Sequence, residues 1–419
     1  MNDPIEVLIN DLDSEGYGVA RSSERLPIRV WGTTLGDRAW VRIVHRSPHR
    51  WVGSLEKLIE RGARRDQDCP HRPACGGCPQ WEAEDHSLND WRIRTLASDL
   101  PWLRVDSLPP PTRQPWRTRS KWRVERQARS IRFTVPKPRS QSGLEIPQCP
   151  ITPSQTQHRL KLLSDQLKAS PLQPVHGLVL TEGVPDHSEL AAFGIGLVAA
   201  KPLPDERPSV GLPGDAVTWL EQPSISPRYF NGTTAPYSGT QLVAVAHEQT
   251  TLPTPPFAFV QAHPEAREQL LSAALAYLDD IPPGHAVDLG SGTGVFARAL
   301  ARRGWSVDAI EPSPHALPAW KNQVSGVNFL PITAEAFTWP KSTQLVIVDP
   351  PRSGMSDAWR GLMLAAEPDY ILTIHCGRAA AKRDLTRIQE SNYRTLGAKL
   401  VDLFPGSPHG ELLSFWERQ

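Results

Sequence analysis

The first sixty residues alternate apolar and polar positions in short runs, the period-two signature of half-buried strands. Ile5-Glu6-Val7-Leu8-Ile9, Gly18-Val19-Ala20-Arg21, Ile28-Arg29-Val30-Trp31 and Trp40-Val41-Arg42-Ile43-Val44 read as strands, with Gly16, Gly18, Gly32 and Gly36 supplying turns. Four or five short strands in so short a stretch predict a small β-barrel, with a generic β module as the plain alternative. Residues 66–90 show little periodicity, and from about 100 to 250 the chain is proline-rich and reads as mostly β with loops. Thr251-Leu252-Pro253-Thr254-Pro255-Pro256 marks a boundary. Beyond it, strands alternate with helices: a helix over Pro264 to Asp279, the strand Ala286-Val287-Asp288-Leu289, a helix over Val295 to Arg303, then strands at Val307–Ile310, Leu345–Val348 and Tyr370–His375. The chain closes on an expected hairpin between Leu400–Leu403 and Glu411–Trp416. That pattern predicts a mostly parallel, doubly wound, Rossmann-like sheet. The expected domains are therefore 1–60, 61–250 and 251–419.

Composition sharpens this reading only locally. The 419 residues carry a net charge of +1, so any polyanionic partner must be met by local charge. Proline, at 42 residues, is about twice its usual share, which favours loops and edge strands over long helices. The N-terminus has no signal-peptide pattern and no run of 18 or more apolar residues occurs, so no membrane association is expected. Five cysteines, odd in number and unevenly spread, do not make a secreted disulfide framework. The expectation is a cytoplasmic protein, monomeric.

Asp288-Leu289-Gly290-Ser291-Gly292-Thr293-Gly294 lies where an apolar strand turns into a helix. Glycines there let the backbone pass close beneath a ligand at a helix N-terminus. Val295 stands where a dinucleotide fingerprint needs its third glycine, which weakens a pyrophosphate reading. Glu311, ending the next strand, can accept both hydroxyls of a ribose. Together these fit the nucleoside half of S-adenosylmethionine, against the plain alternative of a structural turn and a surface glutamate.

A second loop, Asp349-Pro350-Pro351-Arg352-Ser353-Gly354, follows a strand at the sheet edge where such folds bind ligands. With Phe259-Val260-Gln261, Cys376 and His409-Gly410-Glu411 it resembles the bacterial RNA 5-methyluridine methyltransferases, and the resemblance covers nearly the whole chain. Residues 1–60 resemble the OB-like TRAM barrel of that family through Gly16-Tyr17-Gly18-Val19-Ala20-Arg21, and Cys69-Pro70, Cys75-Gly76-Gly77-Cys78, Gln80 and Cys149-Pro150 resemble its iron–sulfur segment. The resemblance implies a C-terminal class I methyltransferase domain, with Gln261, Glu311 and Asp349 contacting cofactor or target base above Gly290, Gly292 and Gly294. The chain departs from the family at Ser291 and Val295 (usually Cys and Asn), at His263 (Asn) and at Gly377-Arg378 (Asn-Pro).

Cys69, Cys75 and Cys78 are spaced C-x5-C-x2-C, with Cys149 lying 71 residues beyond Cys78. Four thiolates suit either a [4Fe–4S] cluster or structural zinc, and the resemblance favours the cluster in a structural role. Cys376 is left over, at the end of an apolar strand. Uridine is too weak a nucleophile at ring position 5 to attack a sulfonium methyl, and a thiolate adding at position 6 solves this by forming an enolate. His375 and Arg378 are placed to favour the thiolate. A base must later remove the proton at position 5, and by resemblance that base is Glu411. The plain alternatives are a buried core thiol and a solvated glutamate.

Residues 113–139 hold Arg113, Arg117, Arg119, Lys121, Arg123, Arg126, Arg129, Arg132, Lys137 and Arg139 against one acid, Glu125, with Trp116 and Trp122 interleaved. Cations on phosphates and indoles under splayed bases make this the expected RNA surface, unless the tryptophans belong to the core. The target uridine then flips out to reach Cys376. The family resemblance points to 23S rRNA as substrate, with tRNA as the close alternative. A catalytically impaired RNA-binding or folding factor, and a zinc-stabilised methyltransferase of other specificity, are the remaining readings.

Overall fold

The computed structural model describes all residues except 1–2, 22–25, 67–68, 73, 114, 129, 139, 141, 186–188 and 224–229. Arg129 and Arg139 of the basic segment thus lie outside the described residues. The chain forms two compact units. The first comprises 1–111, 136–144 and 400–411, and the second 112–135, 145–399 and 412–419. No helix of the described residues is long and apolar enough to cross a membrane.

In the first unit six strands form one sheet: Ile5–Leu8, Asp11–Leu12, Gly18–Arg21, Pro27–Val30, Arg38–Arg46 and Trp51–Glu60. Alternation places Val7, Ile9, Ala20, Ile28, Val30, Ala39, Val41 and Trp51 in a single buried cluster. The cysteine-bearing segment leads into the helix Asp85–Asp99, whose first turn is capped by Glu84 accepting from the Ser87 N–H. Leu12, Ala83, Leu88 and Trp91 form a second small core.

The second unit carries two large sheets, besides the two-stranded ribbon of Val243–His247 and Thr250–Thr254. One includes the strands Arg119–Arg126, Ile131–Pro136, Val175–Glu182, Phe193–Ala199, Ala216–Glu221 and Thr233–Ser238, matching the mostly β character expected of the middle of the chain. Continuous apolar runs such as Phe193–Ala199, buried at every position, explain why no alternation is visible there. The other sheet begins with His285–Leu289 (β1), Ser306–Ile310 (β2), Val327–Leu330 (β3), Thr343–Val348 (β4) and Tyr370–His375 (β5). Tyr393–Val401 (β6) and Glu411–Arg418 (β7) follow, so that seven strands of this eight-stranded sheet run in the order β3-β2-β1-β4-β5-β7-β6. The pairs β1–β2, β1–β4, β2–β3 and β4–β5 are parallel, and β7 runs antiparallel to β5. This is the doubly wound sheet expected from strand–helix alternation, with its closing strand inserted beside β5. The order reverses between β1 and β4, so their carboxyl ends flank the crevice in which such sheets bind ligands.

Candidate active site

Three loops meet at that crevice. The first, Gly290 to Gly294, joins β1 to the helix Val295–Arg302, and its three glycines take φ of +80°, +54° and +94°. These are left-handed values that any side chain would strain. Close approach sets two of them. A Cβ on Gly290 would lie 2.8 Å from the Asp349 carbonyl oxygen, and one on Gly294 would lie 2.6 Å from the Trp320 ring, whereas Gly292 faces open space. Trp320 forms a wall of the turn: its Nε1 donates to the Gly292 carbonyl at 2.8 Å, its ring stacks on Phe329, and the Arg298 guanidinium covers it at 4.7 Å.

Glu311 ends the turn's hydrogen bonding, accepting from the Gly292 N–H at 3.0 Å and the Ser313 N–H at 2.7 Å. Burial nonetheless keeps its carboxyl above the ordinary range. Asp288, 1% exposed, accepts from the Ala297 N–H, and burial with the charges of Asp349 and Glu311 pushes it up to about 7. Asp349 is pushed up to about 7 as well, by burial and then by Glu311. Asp288 Oδ1, Ser291 Oγ and Thr293 Oγ1 are buried with no hydrogen-bond partner. Unpaired buried polar atoms beside an open glycine turn fit a polar ligand such as a nucleoside. Sequence reasoning missed Asp288 and Trp320; the acid preceding the glycines was a signal for the first, and nothing local marks the second.

The second and third loops are bound to each other through Asp384, a residue also missed. Asp384 is fully buried in the helix Arg378–Gln389 and accepts from the Met355 N–H at 2.9 Å, Arg360 Nη1 at 2.5 Å and His375 Nε2 at 3.2 Å. Burial alone would raise its carboxyl, but the bonds from His375 and Met355 and the charges of His375 and Arg383 hold it below the ordinary value. Cys376 follows β5, and Gly377 is the N-cap of that helix. A Cβ on Gly377 would lie 2.7 Å from the Arg352 carbonyl oxygen, so the Cys376 loop and the Asp-Pro-Pro-Arg loop pass backbone to backbone. The departure from the family at Gly377 thus has a local steric basis. Cys376 is the residue immediately before that N-cap.

Gln261 is half-buried in the loop before the helix Pro264–Ala276, and its carbonyl accepts from Arg267 Nη1 at 3.0 Å. His263 caps that helix: Nδ1 accepts from the Ala266 N–H at 3.3 Å and Nε2 donates to the Thr112 carbonyl at 3.0 Å. Those roles define the Nε2–H tautomer. Glu411, 3% exposed, belongs to the first unit and begins β7 after the loop Asp402–Gly410.

The basic segment differs from expectation. Trp116 and Trp122 are buried, at 3% and 6% exposure, with Trp116 stacked on His263 and Trp122 Nε1 donating to Ser120 Oγ. They are core rather than stacking platforms. Arg113 is buried, Arg119 donates to Thr181 Oγ1 and the Pro256 carbonyl, and Arg126 donates to the carbonyls of Leu167, Leu172 and Gln173. Arg132 pairs with Glu145. Lys121 and Lys137 remain exposed. Arg119 and Arg126 thus close backbone carbonyls, Arg126 while still exposed.

All five cysteines are half-buried and none is in a disulfide. The Gly77 N–H points at Cys75 Sγ, 3.4 Å away, and Arg72 lies near Cys69 and Cys78, donating to the Cys78 and Pro79 carbonyls. Among the described residues no three Cys, His, Asp or Glu side chains come together as a metal-holding group. The four thiols of Cys69, Cys75, Cys78 and Cys149 have the donor chemistry of a cluster site.

A mostly parallel sheet in this strand order, with a glycine turn after its first strand and an acid ending its second, defines the class I methyltransferase fold. No protein-family model matches the sequence. The chain is 26% identical over 447 residues to the 23S rRNA (uracil(1939)-C(5))-methyltransferase RlmD of Alkalilimnicola ehrlichii, covering 100% of this chain and 97% of that protein. It is 25% identical over 439 residues to the RlmD of Vibrio vulnificus strain YJ016, covering 99% and 96%. A crystal structure of Pyrococcus abyssi tRNA (uracil-54, C5)-methyltransferase with S-adenosyl-L-homocysteine superposes with a TM-score of 0.76 at 21% identity, covering 98% of this chain and all of that one. These full-length likenesses are to RNA uracil-C5 methyltransferases, the family that the sequence motifs resemble.

Proposed function

We propose that this chain transfers a methyl group from S-adenosylmethionine to position 5 of a uridine in RNA, with 23S rRNA as substrate. The carrying observation is the convergence of the glycine turn, Asp349 and the Cys376 loop at one sheet edge, through the Gly290–Asp349 and Gly377–Arg352 backbone approaches. When bound, S-adenosylmethionine supplies an electrophilic methyl on sulfonium. The open face at Gly292, with Glu311, Asp349 and Gln261, holds the cofactor or target base. Cys376 attacks the uracil at position 6, and the electron pair this places at position 5 would take the methyl as its bond to the sulfonium breaks. Glu411 then removes the proton at position 5, the ring double bond reforms and the thiolate leaves.

The finer parts of the reading rest on sequence. We assign residues 1–60 as an RNA-binding TRAM-like barrel, 61–250 as the cluster-bearing and RNA-binding middle, and 251–419 as the transferase, in a cytoplasmic monomer. Cys69, Cys75, Cys78 and Cys149 are assigned as ligands of a structural [4Fe–4S] cluster, supported by donor set and spacing, with zinc as the alternative. No step passes through it.

The test is incubation of anaerobically purified protein with methyl-labelled S-adenosylmethionine and unmodified 23S rRNA or tRNA, followed by nucleoside analysis. Labelled 5-methyluridine in the ribosomal RNA is expected. Product only in tRNA moves the substrate, and no product in either leaves an RNA-binding factor. Cys376→Ala should abolish product while S-adenosylhomocysteine still binds, and iron and sulfide content decides between cluster and zinc.

A further inference from the structure

The loop that delivers Glu411 is gripped by buried groups that the proposed reaction does not use. Arg92, in the helix Asp85–Asp99, is 3% exposed. Its Nη1 and Nη2 reach the Asp402 carboxylate at 3.0 and 3.2 Å, Nη2 donates to the Ser407 carbonyl at 2.5 Å, and Nη1 donates to Asn89 Oδ1 at 2.5 Å. Gln80 is 1% exposed, and its backbone N–H donates to the Gly406 carbonyl at 2.8 Å. Its side-chain amide faces the other way: Nε2 donates to the carbonyls of Gly16 and Thr33 at 2.9 and 3.0 Å, and Oε1 accepts from Thr34 Oγ1 at 2.7 Å. Gly16, at φ +82°, is tight against Pro79, and a Cβ there would lie 3.3 Å from Pro408. Asp402 and Ser407 are therefore held by Arg92 of the helix, and Gly406 by Gln80 of the segment before it, whose side chain is anchored in turn on Gly16, Thr33 and Thr34 in turns of the N-terminal sheet.

We infer that Arg92 and Gln80 are positioning residues for Glu411, so that the N-terminal sheet governs proton removal and not only RNA affinity. The inference rests on Glu411 being the base. A base works only within about 3 Å of the proton it takes, and a displacement of 1 Å can cost about 10²-fold. At the step concerned, Cys376 is bonded to position 6 and the new methyl to position 5. The C5–H bond breaks toward the Glu411 carboxylate, its electron pair forms the C5–C6 double bond, and the C6–S bond breaks to return the thiolate. A displaced base leaves attack and methyl transfer intact and stalls release, so a methylated covalent protein–RNA adduct accumulates. A defect in RNA binding or in overall folding would not produce that adduct.

The test uses full-length Gln80→Met, Arg92→Lys and Asp402→Asn with methyl-labelled S-adenosylmethionine and an rRNA fragment that the wild type methylates. Glu411→Gln serves as the reference for a missing base. The expected result is release of 5-methyluridine slowed by about 10²-fold, a detergent-stable labelled adduct as in Glu411→Gln, and RNA affinity within about twofold of wild type. Slow turnover without adduct, or a loss confined to RNA affinity, overturns the inference. So does failure of all three variants to fold, which would make the network a stability element. If Glu411→Gln itself forms no adduct while the wild type turns over, the base assignment has failed. If it does and the three variants do not, only the positioning role has.

Discussion

Alanine should act differently at two glycines two residues apart. At Gly294 the added Cβ meets the Trp320 ring and φ is +94°, so Gly294→Ala is expected to cost at least about 2 kcal/mol of stability. At Gly292 the Cβ meets nothing, so Gly292→Ala should cost about 1 kcal/mol of backbone strain while lowering S-adenosylhomocysteine affinity by about tenfold or more. Thermal melts and calorimetric titration separate the two effects, and equal losses of both properties at both sites would refute the assignment of the open face. Asp349 adds a pH dependence. Its folded pKa of about 7 lies above the roughly 3.9 of an unfolded aspartate, so between those values the folded state keeps a proton that the unfolded chain has lost. Stability then falls as pH rises through that window, and above it a charged carboxylate is buried beside Glu311. Asp349→Asn should raise the melting temperature of the ligand-free protein at pH 8 by about 2–4 °C, with a smaller rise at pH 5. A rise of the same size at both pH values would show that charge is not the cause.

Among the elements, the helix Arg378–Gln389 does more than cover the sheet, because Asp384 on it fastens the loop after β4 to the end of β5. Removing its charge leaves Arg360 and its other donors facing a neutral group in the interior. Asp384→Asn should therefore cost about 3–5 kcal/mol in urea denaturation and slow methyl transfer together. Loss of stability with full activity would limit Asp384 to the fold. Little of this was readable beforehand. The strands, the glycine turn and the acidic end of β2 announce themselves because their signals are local: period-two runs, φ-permissive residues, a carboxylate at a strand end. Asp384 meets partners as far as 29 residues away and Arg92 meets Asp402 across 310, separations at which residue order carries no periodic trace. The basic segment shows the converse failure. Its alternation of arginine and tryptophan suits a nucleic-acid face and a strand edge equally well, and the choice was made by burial of Trp116 and Trp122 and by carbonyls that need donors.

For the molecule as a whole, the five thiols provide a count that local geometry does not. All five are half-buried and none is cross-linked, so solvent access alone gives no reason for one to react before the others. The proposed chemistry does. A thiol that attacks the base must be open to solvent and reagent and react as its thiolate, whereas a metal-bound thiolate is shielded by the bond it already makes. Brief alkylation of anaerobically purified protein should therefore label Cys376 alone, and RNA with S-adenosylhomocysteine should protect it. After oxidative loss of the metal, Cys69, Cys75, Cys78 and Cys149 should label as well, with about four iron atoms released per chain if the site is a cubane and zinc instead if it is a tetrahedral ion. Peptide mass spectrometry reads the pattern directly. Equal labelling of all five in protein that still makes 5-methyluridine would leave the transferase standing and remove the metal from it, because the activity would then need only the one cysteine.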